Sequence, residues 1–195
     1  MYKIDVVKCI VIPKAEFDLS FVYKATGREI EPLIETARGG LLKVEDVVRS
    51  EGVTAVSYGG AADFALSVGG VVKTYEQNQV LKTMVVSAAR AYGGVDPIDK
   101  VFFDIKDIEG FRRECVEAKS MGFIGKQVIH PSQIPVANEV FSPSEEEINW
   151  ARRVVEAYER AVKEGRGAIS LEGQLVDYVH YKLAKRILDF VNRPG

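Results

Sequence analysis

The chain has 195 residues, 47% of them hydrophobic and 28% charged, and a formal net charge of −2. That length supports a sizeable core, and the near-neutral balance argues against a nucleic-acid or acidic-membrane surface. No apolar run approaches the roughly 20 residues needed to span a bilayer, and the first residues hold no signal-peptide stretch, so the cytoplasm is the expected compartment.

Residues 6–12 form the first short apolar run, rich in β-branched side chains, and read as a strand. Pro32-Leu33-Ile34-Glu35 is the second run. Leu41, Leu42, Val44, Val47 and Val48 then make a helical apolar stripe. Thr54-Ala55-Val56-Ser57-Tyr58 is the third run. Val80, Leu81, Met84, Val85, Ala88, Ala89 and Tyr92 share one helix face. Val101-Phe102-Phe103-Asp104 is the fourth run, followed by a helix carrying Phe111, Cys115, Ala118 and Met121 up to Gly122. Gln127-Val128-Ile129-His130 is the fifth.

Ser144-Glu145-Glu146-Glu147 is a capping box, in which the Ser side chain accepts from the N3 amide and the Glu reaches back. The helix it starts should run to about Lys163, with Ile148, Ala151, Val154, Val155, Tyr158 and Val162 inward. Residues 164–167, Glu-Gly-Arg-Gly, break it. A last helix, roughly from Asp177 to Asn192, carries Val179, Leu183, Ile187, Leu188 and Val191.

Strand–helix alternation implies βαβ units and a parallel sheet. Five such strands fit an open doubly wound sheet and equally fit part of an eight-stranded barrel. The first strand is followed by Pro13-Lys14-Ala15-Glu16 rather than a GxGxxG turn, which weakens the dinucleotide option. Cys9 and Cys115 belong to no CxxC pair and read as reduced structural thiols. His130 and His180 are the only histidines, and no GxSxG, HExxH or P-loop accompanies them.

Glu35 ends the second run and Asp63 follows the third. Adjacent parallel strands would present these two carboxylates at their C-terminal ends, where α/β proteins place ligand sites. Magnesium is usually held by one or two carboxylates, with water and substrate completing its shell. The same residues also read as ordinary acids at helix starts. Gly59-Gly60 permits a sharp turn, after which the amides of Gly60, Ala61 and Ala62 can meet an anion at a helix N-terminus. An unremarkable βα loop is the other reading.

Several segments carry a family resemblance. Leu33-Ile34-Glu35-Thr36-Ala37-Arg38-Gly39 resembles the "LIETARG" segment of the citrate lyase β-subunit and malyl-CoA lyase family, the HpcH/HpaI aldolase superfamily. Residues 57–64, Ser-Tyr-Gly-Gly-Ala-Ala-Asp-Phe, resemble its "SFGAEDF" loop. Residues 100–104 resemble "DTVYLD", and residues 108–111 the "LEGF" that follows. Residues 125–133 resemble "GKQVIHPSQ" throughout, and residues 171–177 resemble "DGKMID".

The resemblance implies an α/β fold: an incomplete TIM-type (β/α) barrel of about five of eight strands, residues 1–141, and a C-terminal helical extension, residues 142–195. It implies Mg²⁺ held by Glu35 and Asp63, and Asp177 as a proton-transfer residue reaching a neighbouring subunit's site. Asp177 also reads as a helix N-cap. The implied activity is magnesium-dependent carbon–carbon cleavage or condensation of a hydroxyacyl thioester such as citryl-, malyl- or citramalyl-CoA. The implied partners are that thioester or its oxo acid, and either further copies of the chain or a complementing N-terminal fragment. The alternative is a non-catalytic subunit of the family that binds metal, ligand or a partner. Ala62 stands where the family loop has Glu. The family's opening "LFVPG" and "DLEDAV" segments and its substrate-facing arginine have no match here. Arg38 lies in a different motif, and Lys14 ends a strand at the right face.

Overall fold

The computed structural model describes residues 6–76 and 78–192. These divide into two compact units, one running through Phe141 and the other starting at Ser142.

In the first unit five strands, β1 (Cys9–Ile12), β2 (Glu29–Ile34), β3 (Ala55–Tyr58), β4 (Asp96–Asp99) and β5 (Gly125–Lys126), pair in parallel in the order β1-β2-β3-β4-β5. Chain order and spatial order coincide. A doubly wound sheet must reverse its order at a switch point, so the arrangement is an arc of a (β/α) barrel. One chord shows the curl directly. The Gln127 amide, just past β5, donates to Glu31 Oε1 on β2 at 3.2 Å. In a flat sheet these strands would lie three spacings apart, ~14 Å. Glu31 also accepts from Ser57 of β3 at 2.5 Å, so polar side chains line the concave face. On the convex face Ile30 and Ile34, alternating with Glu31 and Leu33, are fully buried.

Helices cover that convex face: α1 (Ser20–Thr26), α2 (Val44–Val48), α3 (Ala61–Val68), α4 (Val72–Tyr75), α5 (Gln79–Tyr92), α6 (Ile108–Met121) and α7 (Gln133–Phe141). Leu81, Val85 and Ala89 of α5 and Phe111, Cys115 and Ala118 of α6 are buried in one core with Val47, Val56 and Tyr58.

Two strand expectations are corrected. The fourth strand is Asp96–Asp99, not Val101-Phe102-Phe103-Asp104, which follows it as irregular chain. There Phe102 meets Phe111 edge-on at a 6.0 Å centroid distance, while Phe103 is exposed. The fifth strand is Gly125–Lys126, and residues 127–130 lie beyond it, although Gln127 N–H still donates to Asp99 C=O. The helical stripe after β2 is also split. Arg38–Leu42 forms a π-helical turn that leaves Leu41 and Leu42 exposed, and only Val44, Val47 and Val48 are buried.

The second unit contains α8 (Glu145–Lys163), an antiparallel hairpin of β6 (Ala168–Leu171) and β7 (Gln174–Asp177), and α9 (Tyr178–Val191). The Ser144 capping box forms as the sequence implies, with Glu147 N–H donating to Ser144 Oγ and Ser144 N–H to the Glu147 carboxylate. Its core joins Ala151, Val154 and Tyr158 to Val176 and Ala184, and Tyr158 stacks on Tyr181 at 5.1 Å. The hairpin has no counterpart in the sequence reading. Its turn residues Glu172 and Gly173 both have positive φ, as a two-residue hairpin loop demands. Val162, Val179, Leu183 and Val191, expected on apolar faces, are exposed. Among the described residues no helix is long and apolar enough to cross a membrane.

Candidate functional site

The register Leu33↔Ser57 and Ile34↔Tyr58 sets the last residues of β2 and β3 side by side. Glu35 and Gly59 follow as neighbours, and Gly59 N–H donates to Ile34 C=O at 3.0 Å. Glu35 is only 5% exposed. It survives there because Lys14 N–H, in the loop after β1, donates to its Oε1 at 3.0 Å. Burial pushes the Glu35 carboxyl above its ordinary range, against the pull of that hydrogen bond.

The Lys14 ammonium reaches the other way, to Asp63 Oδ1 at 2.9 Å, and this bond holds its pKa above the ordinary lysine value. One residue therefore touches both carboxylates, one through its backbone and one through its side chain. Lys14 does so with φ at 52°, in the left-handed region. The loops are also cross-tied: Thr36 Oγ1 donates to Glu16 Oε1 at 2.7 Å, and Ala15 N–H to Leu33 C=O at 3.1 Å.

Gly60 turns into α3 with φ at 114°, and no side chain caps that helix. The amides of Gly60, Ala61 and Ala62 thus sit at an uncapped N-terminus beside Asp63, an arrangement that favours an anion. Gly59 is needed for a second reason: a Cβ there would lie 2.4 Å from Glu35 Oε2. Gly59→Ala should therefore displace the Glu35 carboxylate, and any divalent-cation affinity that rests on it should fall by roughly tenfold or more, the scale of misplaced ligand support, while the chain stays folded. Calorimetric metal titration alongside circular dichroism checks this. Unchanged affinity would mean that the carboxylate takes no part.

Beneath this loop lies an ionic network that sequence reasoning missed. Asp99 at the end of β4 meets Lys82 of α5 at 3.2 Å and Lys126 of β5 at 2.7 Å. Lys126 also meets Glu114 of α6 at 2.5 Å, and Glu114 pairs with Lys100 at 2.7 Å. Lys82, Asp99 and Lys126 side chains are fully buried. The methylenes of Lys100 lie about 3.6 Å from where a Gly60 Cβ would stand, so the network backs the Gly60 turn. Asp99 and Glu114 together, after burial, push the Tyr58 hydroxyl well above the ordinary tyrosine value.

Asp177, in the second unit, is the N-cap of α9. It accepts from Val179 N–H at 2.9 Å and His180 N–H at 3.3 Å, and pairs with His180 Nδ1 at 2.8 Å. The His180 bond holds its carboxyl below the usual range. His130 is exposed and bonded to Ser132 Oγ at 2.8 Å. Among the described residues no group of three or more His, Cys, Asp and Glu side chains is set to hold a metal. Two carboxylates, one following β2 and one in the first turn of α3, both bonded to Lys14, suit a hard ion that keeps open positions for water or a chelating acid.

The fold and this site define a (β/α)-barrel protein with an acidic pair, Glu35 and Asp63, in the loops at the carboxyl end of its strands. Residues 5–131 match the family described as HpcH/HpaI aldolase/citrate lyase, and the chain belongs to that family. It is 33% identical over 201 residues to a mitochondrial citramalyl-CoA lyase of Mus musculus, covering 92% of this chain and 59% of the relative. It is 34% identical to an L-malyl-CoA/beta-methylmalyl-CoA lyase of Rhodobacter capsulatus, covering 82% of this chain and 55% of the relative. The chain thus spans a little over half the length of these relatives. Among solved structures, protein CitE from Mycobacterium tuberculosis, in complex with magnesium, acetoacetate and coenzyme A, superposes with a TM-score of 0.76 at 31% identity, covering 95% of this chain and 69% of that one.

Proposed function

We propose that the chain is the metal- and oxo-acid-binding part of a magnesium-dependent carbon–carbon lyase acting on a hydroxyacyl thioester, of the malyl-, citramalyl- or citryl-CoA class. The observation that carries this reading is the convergence on Lys14 of Glu35, just past β2, and Asp63, in the first turn of α3, in a family whose relatives are named as such lyases and include a magnesium complex. Glu35 and Asp63 would hold Mg²⁺. When bound, the ion supplies Lewis-acid stabilisation of charge on the oxo acid's oxygens.

The remaining steps fall to the protein. The amides of Gly60, Ala61 and Ala62 receive the acid's carboxylate. In the cleavage direction the hydroxyl of the thioester loses its proton, the adjacent carbon–carbon bond breaks, and the departing thioester carbanion takes up a proton to give the acyl-CoA. Asp177 is our candidate for proton transfer, as a carboxylate able to accept the hydroxyl proton and return it. We assign residues 1–141 to the barrel part and residues 142–195 to an extension that presents Asp177 to the site of a second copy. A further copy, or a complementing chain, would also cover the outer edges of β1 and β5, each hydrogen-bonded to one strand neighbour among the described residues. The two cysteines, both free, suit the reducing cytoplasm.

The test is cleavage of malyl-CoA and citramalyl-CoA by the purified chain, alone and with any complementing chain, with Mg²⁺ and after chelation. The expected result is acyl-CoA release that chelation abolishes. Metal and oxaloacetate binding without turnover under every condition would instead make it a ligand-binding subunit.

A further inference from the structure

Lys14 is unusual in three respects that its neighbours do not require. It adopts a left-handed backbone although it is not glycine. Its amide is committed to Glu35 and its ammonium to Asp63. Its side chain is nevertheless 58% exposed, so the ammonium can swing while the amide stays fixed. The α3 N-terminus adds its own positive end next to Asp63.

Charge counting gives this arrangement a purpose. Two carboxylates and one ammonium leave the site with one negative charge. A divalent ion would turn that into one positive charge. Without the ammonium, the loaded site would be neutral and would attract an anionic acid less.

Resting on the function proposed above, we infer that Lys14 is the resident counter-cation of the Glu35–Asp63 pair: a divalent ion displaces its ammonium from Asp63, and the freed ammonium pairs with an anionic oxygen of the oxo acid. Lys14 thereby weakens metal binding on its own and strengthens binding of the acid once metal is present. The two effects have opposite signs, which a merely structural lysine would not produce.

The experiment measures Mn²⁺ affinity by the paramagnetic resonance signal of the free ion, then oxaloacetate affinity of the Mn²⁺-loaded chain by calorimetry. Wild type, Lys14→Gly, Lys14→Arg and Glu35→Gln are compared. Glycine suits the left-handed backbone and keeps the amide, so the variant should fold. Lys14→Gly is expected to bind Mn²⁺ roughly tenfold tighter and oxaloacetate roughly tenfold weaker, the scale of one unit charge a few ångströms away, with Lys14→Arg near wild type in both. Mn²⁺ affinity that is unchanged or weaker in Lys14→Gly, while Glu35→Gln loses the ion, overturns the role of Lys14 and leaves the metal site standing. Tighter Mn²⁺ with unchanged oxaloacetate affinity overturns the pairing with the acid. Wild-type chain that binds no Mn²⁺ overturns both this inference and the metal-site reading beneath it.

Discussion

Glutamine in place of Glu35 is expected to lower Mg²⁺ affinity at least about 100-fold, since outer-shell partners alone are typically worth roughly 10–100-fold. Under the proposed function, turnover at fixed Mg²⁺ should fall by a comparable or larger factor. The metal-free chain should lose no stability. Glu35 is buried, and its raised pKa shows that the ionised form is held against a desolvation penalty. Glutamine keeps the shape and the acceptor for Lys14 N–H while removing a charge close to Asp63. The signature is a melting temperature at or above that of wild type without metal, and no rise on adding Mg²⁺. A variant that still gained stability from Mg²⁺ would place the ion elsewhere.

The second large effect lies under the site. Lys126→Met removes the cation that sits between Asp99 Oδ2 and Glu114 Oε1. Asp99 is then left with Lys82, and Glu114 with Lys100. Each carboxylate thus keeps one lysine but loses a buried charge-assisted hydrogen bond, and two such bonds are worth about 3–5 kcal/mol together. Lys100→Met should do less, because only Glu114 loses a partner and it keeps Lys126. Urea unfolding of both variants tests the ranking. A loss below about 1 kcal/mol for Lys126→Met would show that the two carboxylates need no bridging cation.

The residues that were legible in advance are those whose signals are local. The Ser144 cap is written within four residues, and the strands at Cys9–Ile12 and Ala55–Tyr58 lie in short runs rich in β-branched or aromatic residues. Glu35 and Asp63 stood out because each carboxylate follows an apolar run. The fourth strand was misplaced for a non-local reason. Asp99 reads as a loop residue until Lys82 and Lys126, 17 and 27 positions away, arrive to neutralise it. The neighbouring Val101-Phe102-Phe103 run looked better but belongs to the chain beyond the sheet. The hairpin was missed because Glu172, rather than Asn or Asp, takes the first left-handed turn position. The doubly wound alternative could be dismissed only once the strand order was visible.

The left-handed lysine also bears on engineering. A non-glycine residue in that region typically forfeits on the order of 1 kcal/mol or more, and glycine at position 14 would relieve it. A library selected only for heat resistance would thus tend to discard the lysine, trading its ion pair with Asp63 for a calmer backbone. Thermostable variants of this chain should therefore be sorted by what stands at residue 14 before any is used as a catalyst scaffold.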